Sequence, residues 1–357
     1  MKNILLLSFL LIGVILKGQD IQYSQFYANA LYLNPAFAGA NQNSRAIVHS
    51  RLQWPSIDAT YLASTFSFDH YFPQYKSGVG LIINTDQIYG YKSSPTSKQQ
   101  TFRNLDLGLQ YAYQLELSDE WTFRPALQLS FGQRSFNSGK LQYVQQYTNK
   151  TGFDENLSSG ENPGLEDIAP IYYPDASAGG LIYSSKFWVG IAANHLNRPS
   201  QSFLNNGADK LPIKTTLHTG MKFLIGKDKP RYGIDDSENE VSISPVLLYK
   251  MQGKNDQLDL GMYFRYDFLV LGTWYRGLPF KLYPSEQFNN DAIIAMAGGL
   301  FGPFNVGYSY DFTISKLAPA LTGGSHELSV TYNFLVESYS KKKRPPSKNR
   351  KPVCPKF

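Results

Sequence analysis

Large apolar residues recur at every second position of this chain, segment after segment, and that period admits one local structure. The run Leu105, Leu107, Leu109, Tyr111, Tyr113, Leu115 and Leu117 is interleaved with Asp106, Gly108, Gln110, Ala112, Gln114 and Glu116. A two-residue period places the two sets on opposite faces of a β-strand. Fourteen such segments follow one another, at about 45–54, 58–70, 77–86, 102–117, 121–136, 174–184, 187–195, 213–225, 240–251, 257–267, 268–276, 292–301, 304–313 and 326–336. Most reach the roughly 9 to 11 residues of a tilted strand that crosses a bilayer, longer than the about 5 or 6 of a typical soluble strand. The second face carries Asp106, Arg124, Arg134, Asp259, Arg265 and Asp311, so it meets water while the apolar face meets lipid. The fold class expected is therefore all-β: a transmembrane antiparallel up-and-down β-barrel of about 14 strands. An even count puts both ends of the sheet on one side, as bacterial outer-membrane barrels require.

The connections alternate in length as such a barrel demands. Counted from a periplasmic start, the outer ones include the long polar stretches 87–101, 137–173, 196–212 and 277–291, while the inner ones are short except for Lys227 to Asn239. Aromatic residues gather near strand ends, as at Tyr71 and Phe72, Trp121 and Phe123, Phe187 and Trp188, and Phe301 and Phe304. They are expected to form belts at the headgroup level. Only 17% of the residues are charged and 15% are aromatic, which suits a surface bathed in lipid.

The two ends differ from the body. Residues 1–19 start with Lys2 and run apolar from Ile4 to Leu16, which reads as a secretory signal peptide. Residues 338–357 form a basic, Pro-rich tail with eight Lys or Arg after position 340 and the single cysteine, Cys354; such composition stays disordered. The cations of leader and tail exceed the whole net charge of +6, so the body between them is acidic on balance. A nucleic acid is therefore not an expected partner, because a basic surface on the folded domain is missing. The domain expectation is 1–19 leader, 20–43 N-terminal segment, 44–337 barrel and 338–357 periplasmic tail.

Chemistry-bearing patterns are scarce. His49, His70, His195, His218 and His326 are never spaced as a metal pair, and no nucleophile elbow or phosphate loop occurs. The acids Asp154, Glu155, Glu161, Glu166 and Asp167 follow no calcium-loop spacing. Ser67 with His70, and Ser309 with His326, are the Ser–His pairs to be located in the fold. The expectation is a protein without catalytic, cofactor or metal residues.

Certain runs resemble a known family. Gln22-Tyr23-Ser24-Gln25-Phe26-Tyr27, Leu31-Tyr32-Leu33-Asn34-Pro35-Ala36-Phe37-Ala38-Gly39 and Arg51-Leu52-Gln53-Trp54 are similar to the opening of the PorP/SprF family of Bacteroidetes membrane proteins. Pro174-Asp175, Gly179-Gly180-Leu181-Ile182-Tyr183, Phe187-Trp188-Val189-Gly190 and Asn194-His195-Leu196-Asn197-Arg198-Pro199 resemble its middle section. The resemblance implies an outer-membrane component of the type IX secretion system, tied to gliding or to a secreted adhesin or cargo with a C-terminal sorting domain, and to other secretion-system subunits. The rival expectation is a porin or channel for a small or hydrophobic solute. Gln25, Phe26, Tyr27, Asn34, Pro35 and Phe37 are the candidate residues, either plugging the barrel, which is the preferred reading, or binding a periplasmic partner; Cys354 is the tail candidate. Both termini are expected in the periplasm.

Overall fold

The computed structural model describes residues 20–57, 60–91, 98–136, 147–148, 152–153, 168–203, 210–225, 240–282, 288–315 and 322–334. The leader, the basic tail with Cys354, the acids from Asp154 to Asp167 and the stretch from Lys227 to Asn239 lie outside them.

Among the described residues fourteen long strands build one sheet. They are β1 (Ser44–Gln53), β2 (Thr60–Phe72), β3 (Ser77–Tyr91), β4 (Lys98–Tyr113), β5 (Thr122–Phe136), β6 (Ile171–Tyr183) and β7 (Phe187–Asn194). The second half comprises β8 (Lys214–Met221), β9 (Val241–Gln252), β10 (Asn255–Tyr266), β11 (Leu269–Leu282), β12 (Phe288–Phe301), β13 (Phe304–Thr313) and β14 (Ser325–Phe334). Each pairs antiparallel with the next in sequence, and β1 pairs with β14, so the sheet closes on itself. Closure leaves no edge strand with unpaired amides, which a bilayer would not tolerate. The expected fourteen-strand antiparallel barrel is what forms.

The barrel is inside out relative to a soluble protein. On β4 and β5, Leu109 and Leu129 are 61% and 70% exposed, whereas inward Gln110 is 2% exposed and Arg124 is completely buried. A continuous apolar exterior of this kind is stable against hydrocarbon and not against water. No described helix is long and apolar enough to cross a membrane. The crossing is done by strands.

Several strands run further than their alternation suggested. β3 continues to Tyr91, β4 starts at Lys98, β6 starts at Ile171, and β11 and β12 reach Leu282 and Phe288. These extensions share one end of the barrel and are polar or interrupted by glycine and proline, so ladder hydrogen bonding continues after the apolar period has stopped. That end carries the long connections and is called here the loop rim. The other, with Asp267 and Phe268 or Gly302 and Pro303 as its tightest corners, is the turn rim.

The aromatic belts need one correction. Phe72, Trp121, Phe301 and Phe304 do face outward, but Trp188 is fully buried and Tyr71 nearly so. Phe187 and Trp188 are adjacent in a strand, so the pleat must send them to opposite faces. Trp188 takes the inner one.

Candidate functional site

The interior is occupied by the chain's own residues 20–43. Asp20 lies at the loop rim, and the segment descends to Ser44, which opens β1 at the turn rim opposite Phe334. The sheet thus begins and ends on one rim, while the first described residue sits at the other. The chain's own termini, expected on one side, lie outside the described residues; strand parity fixes only the sheet's ends, and the lumenal segment adds a crossing up to Asp20.

Three sets of contacts hold the segment. The uppermost fixes Asp20, whose carboxylate meets Lys214 Nζ at 2.7 Å and His195 Nε2 at 2.8 Å. Its backbone N–H donates to Gln252 Oε1 at 3.1 Å. His195 Nδ1 in turn faces Asp175 at 2.7 Å. Burial opposes the imidazolium, but the Asp20 charge and the hydrogen bonds to Asp175 and Asp20 prevail and raise His195 to about 9. Burial likewise opposes ionisation of Asp20, and the charges of Lys214 and His195 outweigh it, leaving this carboxyl well below its usual range.

The middle set is an ionic network buried on all sides. Glu327 on β14 accepts from the backbone N–H groups of both Ser24 and Gln25, at 2.8 and 2.7 Å. It also meets His49 at 2.7 Å and Arg51 at 3.0 Å, both from β1. Arg276 on β11 bridges Asp259 at 2.9 Å and Asp311 at 2.8 Å, and Arg51 reaches Asp311 at 2.8 Å. At the centre the Ser24 hydroxyl donates to Asp311 and accepts from Arg51 and Arg276, both at 2.8 Å. One donor and two lone pairs are all used. Gln25 completes the set: its amide donates to Ser309 Oγ and to the Glu327 carbonyl, and it accepts from Ser329.

The lowest set is apolar with capped turns. Ala30–Leu33 forms a single helical turn and Pro35–Phe37 a 3₁₀ turn. Asn34 caps the second, its Oδ1 accepting from Ala36 N at 2.9 Å, and Pro35 takes the first position, where no N–H is needed. The other end of the same amide donates to the carbonyls of Gly180 and Ile191, each at 3.1 Å, so one side chain ties the turn to β6 and β7. Arg124 donates to the carbonyls of Ala36 and Ala38. Phe26 packs edge-on to Trp274 at 6.2 Å, Phe37 stacks on His218 at 5.3 Å, and Trp188 Nε1 donates to the Tyr27 hydroxyl at 2.5 Å. Gly39 has φ +67°, and its position leaves no room for a side chain: a Cβ there would stand 2.8 Å from Gly78 Cα.

All six candidates from the segment, Gln25, Phe26, Tyr27, Asn34, Pro35 and Phe37, are buried in the lumen. Among the wall residues that hold the segment, Glu327 and Arg276 were not named from sequence, nor was Ser24 made a candidate, and Arg51, His218 and Trp188 were named for other reasons; the available signal was the inward parity of the wall residues on β1, β7, β8, β11 and β14. The Ser–His pairs do not assemble. Ser67 and Ser309 point inward, whereas His70 bonds Ser44 and His326 bonds Tyr308 from the outward positions. No cluster of three or more metal-ligating side chains occurs among the described residues.

The family model for the type IX secretion system membrane protein PorP/SprF matches residues 15–332. No curated protein matches the chain. Among solved structures it is similar to the Pseudomonas putida toluene transporter TodX, at 11% identity and TM-score 0.48, covering 86% of this chain and 94% of that one. It is also similar to the Ralstonia pickettii toluene transporter TbuX, at 10% identity and TM-score 0.43 over 86% and 93%. A Pseudomonas aeruginosa FadL homologue gives 12% identity and TM-score 0.39 over 86% and 94%.

Proposed function

Because this outer-membrane barrel belongs to the PorP/SprF family of type IX secretion system membrane proteins, we propose that it works by holding protein partners and not by conducting solute. Its partners are a secreted adhesin or other cargo with a C-terminal sorting domain and further secretion-system subunits, engaged for export, surface attachment or gliding. The loop rim faces the exterior, and the turn rim, with the ends of the sheet, faces the periplasm, following the long-outside and short-inside rule of such barrels.

The observation that carries the reading is the filled lumen. A removable lid would touch the wall weakly, whereas Ser24 and Gln25 are bonded to buried charges drawn from β1, β11, β13 and β14. Withdrawing the segment would leave those charges without its donors and acceptors, at a cost of several kcal/mol. A conduit whose opening begins with that cost is a poor channel. The protein is also read as non-enzymatic, since the Ser–His pairs are split across the sheet.

Reconstitution of the purified protein in planar bilayers tests this. The expected record is a membrane without porin-sized current steps, alongside loss of surface display of an adhesin when the gene is deleted. Steady porin-like conductance would overturn the reading in favour of a porin or a channel for a small or hydrophobic solute.

A further inference from the structure

Beside Asp20 a cleft of about 120 Å³ opens between the lumenal segment and the loop-rim halves of β3 to β7. Its polar lining is unequally spent. Asp20 and Asp175 share His195 and Lys214 as counter-charges. Arg134, the remaining cation of the lining, donates to Gln201 at 2.8 Å and lies over the Phe102 ring at 4.8 Å. Asp86 and Asp106, on β3 and β4, have no ion pair among the described residues.

The register sets these two acids close together. Asp86 stands opposite Asn104 and Asp106 opposite Asn84, so they are diagonal neighbours on the inner face, about 7 Å apart. An acidic pair alone marks no site, but a second group faces the same space. Asn194, nine-tenths buried, donates one hydrogen bond from its amide to Ser177 Oγ at 3.2 Å, while its Oδ1 has no partner. Asp106 accepts from Asn84 at 3.5 Å and Arg134 Nε is a donor without a partner, but the lining sets the four carboxylates Asp20, Asp86, Asp106 and Asp175 against the three cations His195, Lys214 and Arg134, so its charge is negative on balance. Tyr32, Phe102 and Tyr173 supply ring surface around them, which suits a cation on an apolar stem.

We propose that this cleft binds an alkylammonium or guanidinium group, carried by a lysine or arginine side chain of the exported partner. The volume admits one long side chain and excludes a helix, which is roughly 10 Å across. The assignment to a partner rests on the reading above that the loop rim faces outward and engages protein. The cation chemistry itself rests only on the cleft.

The test uses the full-length protein in detergent, with acetyl-lysine amide and acetyl-arginine amide as probes and acetyl-glutamine amide as the neutral control. Saturation-transfer NMR is expected to show saturable binding of the cationic probes only. The double variant Asp86→Asn, Asp106→Asn keeps the shapes and is expected to weaken binding at least about tenfold, while Asp291→Asn on the exposed rim changes nothing. In the unaltered protein the Asn194 side-chain amide resonances should shift on adding probe, which keeps the test decisive if the double variant does not fold. Equal binding of the neutral probe, or no effect at Asn194, overturns the proposal. Tighter binding of free 1,5-diaminopentane than of either amide overturns the assignment to a protein side chain. Failure of probe binding leaves the bilayer result untouched, so the two readings fail separately.

Discussion

Glu327 shows how much one inward residue does. It accepts two backbone N–H groups of the segment and faces His49 and Arg51, with no exposed surface of its own. Replacing it with alanine leaves Arg51 with Asp311 as its acidic partner beside the Ser24 hydroxyl, and strands the N–H groups of Ser24 and Gln25. Breaking a buried charge network from one side costs about 3–5 kcal/mol. Glu327→Ala is therefore expected to lower unfolding stability in urea by that amount, whereas Leu328→Ile, one residue along on the lipid face, stays within about 0.5 kcal/mol. Residue by residue, legibility was uneven for a physical reason. The inward parity of Asp311 and Arg124 can be read from neighbours two positions away. Glu327 meeting Arg51 across 276 positions cannot, because closure of the sheet brings them together.

Among the elements, the strands were the most legible and the segment the least. Alternation is enforced by lipid on every spanning strand, so all fourteen were visible; boundary errors arose at the loop rim, where the polar extensions carry no such pattern, and at the turn rim, where alternation continues past the ends of β4 at Tyr113 and β8 at Met221. Residues 20–43 have no period because they meet barrel wall on every side. Their anchor at Asp20 makes a prediction in pH. His195 is raised to about 9, so its contribution is complete below its ordinary value of about 6.5 and is lost as pH rises through 9. Asp20 is lowered, so its contribution is complete above about 4 and is lost only as pH falls through its own depressed value. The anchor is thus fully engaged between about pH 4 and 6.5 and weakens through the alkaline range. The His195 C2 proton should titrate near 9 by NMR, and in Asp20→Asn its midpoint should fall well below that; an unchanged midpoint would remove Asp20 as the cause.

For the whole molecule, the threading of the segment has a topological consequence. Asp20 at the loop rim and Phe334 at the turn rim lie on opposite sides of the bilayer. An epitope inserted directly before Asp20 should be reached by antibody on intact cells, while one placed after Phe334 should be reached only after the outer membrane is permeabilised. Labelling of both, or of neither, would contradict the threading.

The sequence by itself determined the inside-out barrel, its strand number and the acidic balance of its body, because a bilayer imposes a two-residue period that local composition must obey. The resemblance of a few runs pointed to the family. Tertiary structure alone decided that the first described residue stands at the loop rim, that Trp188 faces Tyr27 and not lipid, and that Ser24 lies between two arginines and an aspartate. Such contacts join residues hundreds of positions apart. They exist only once the sheet has closed, and no local pattern in the chain encodes them.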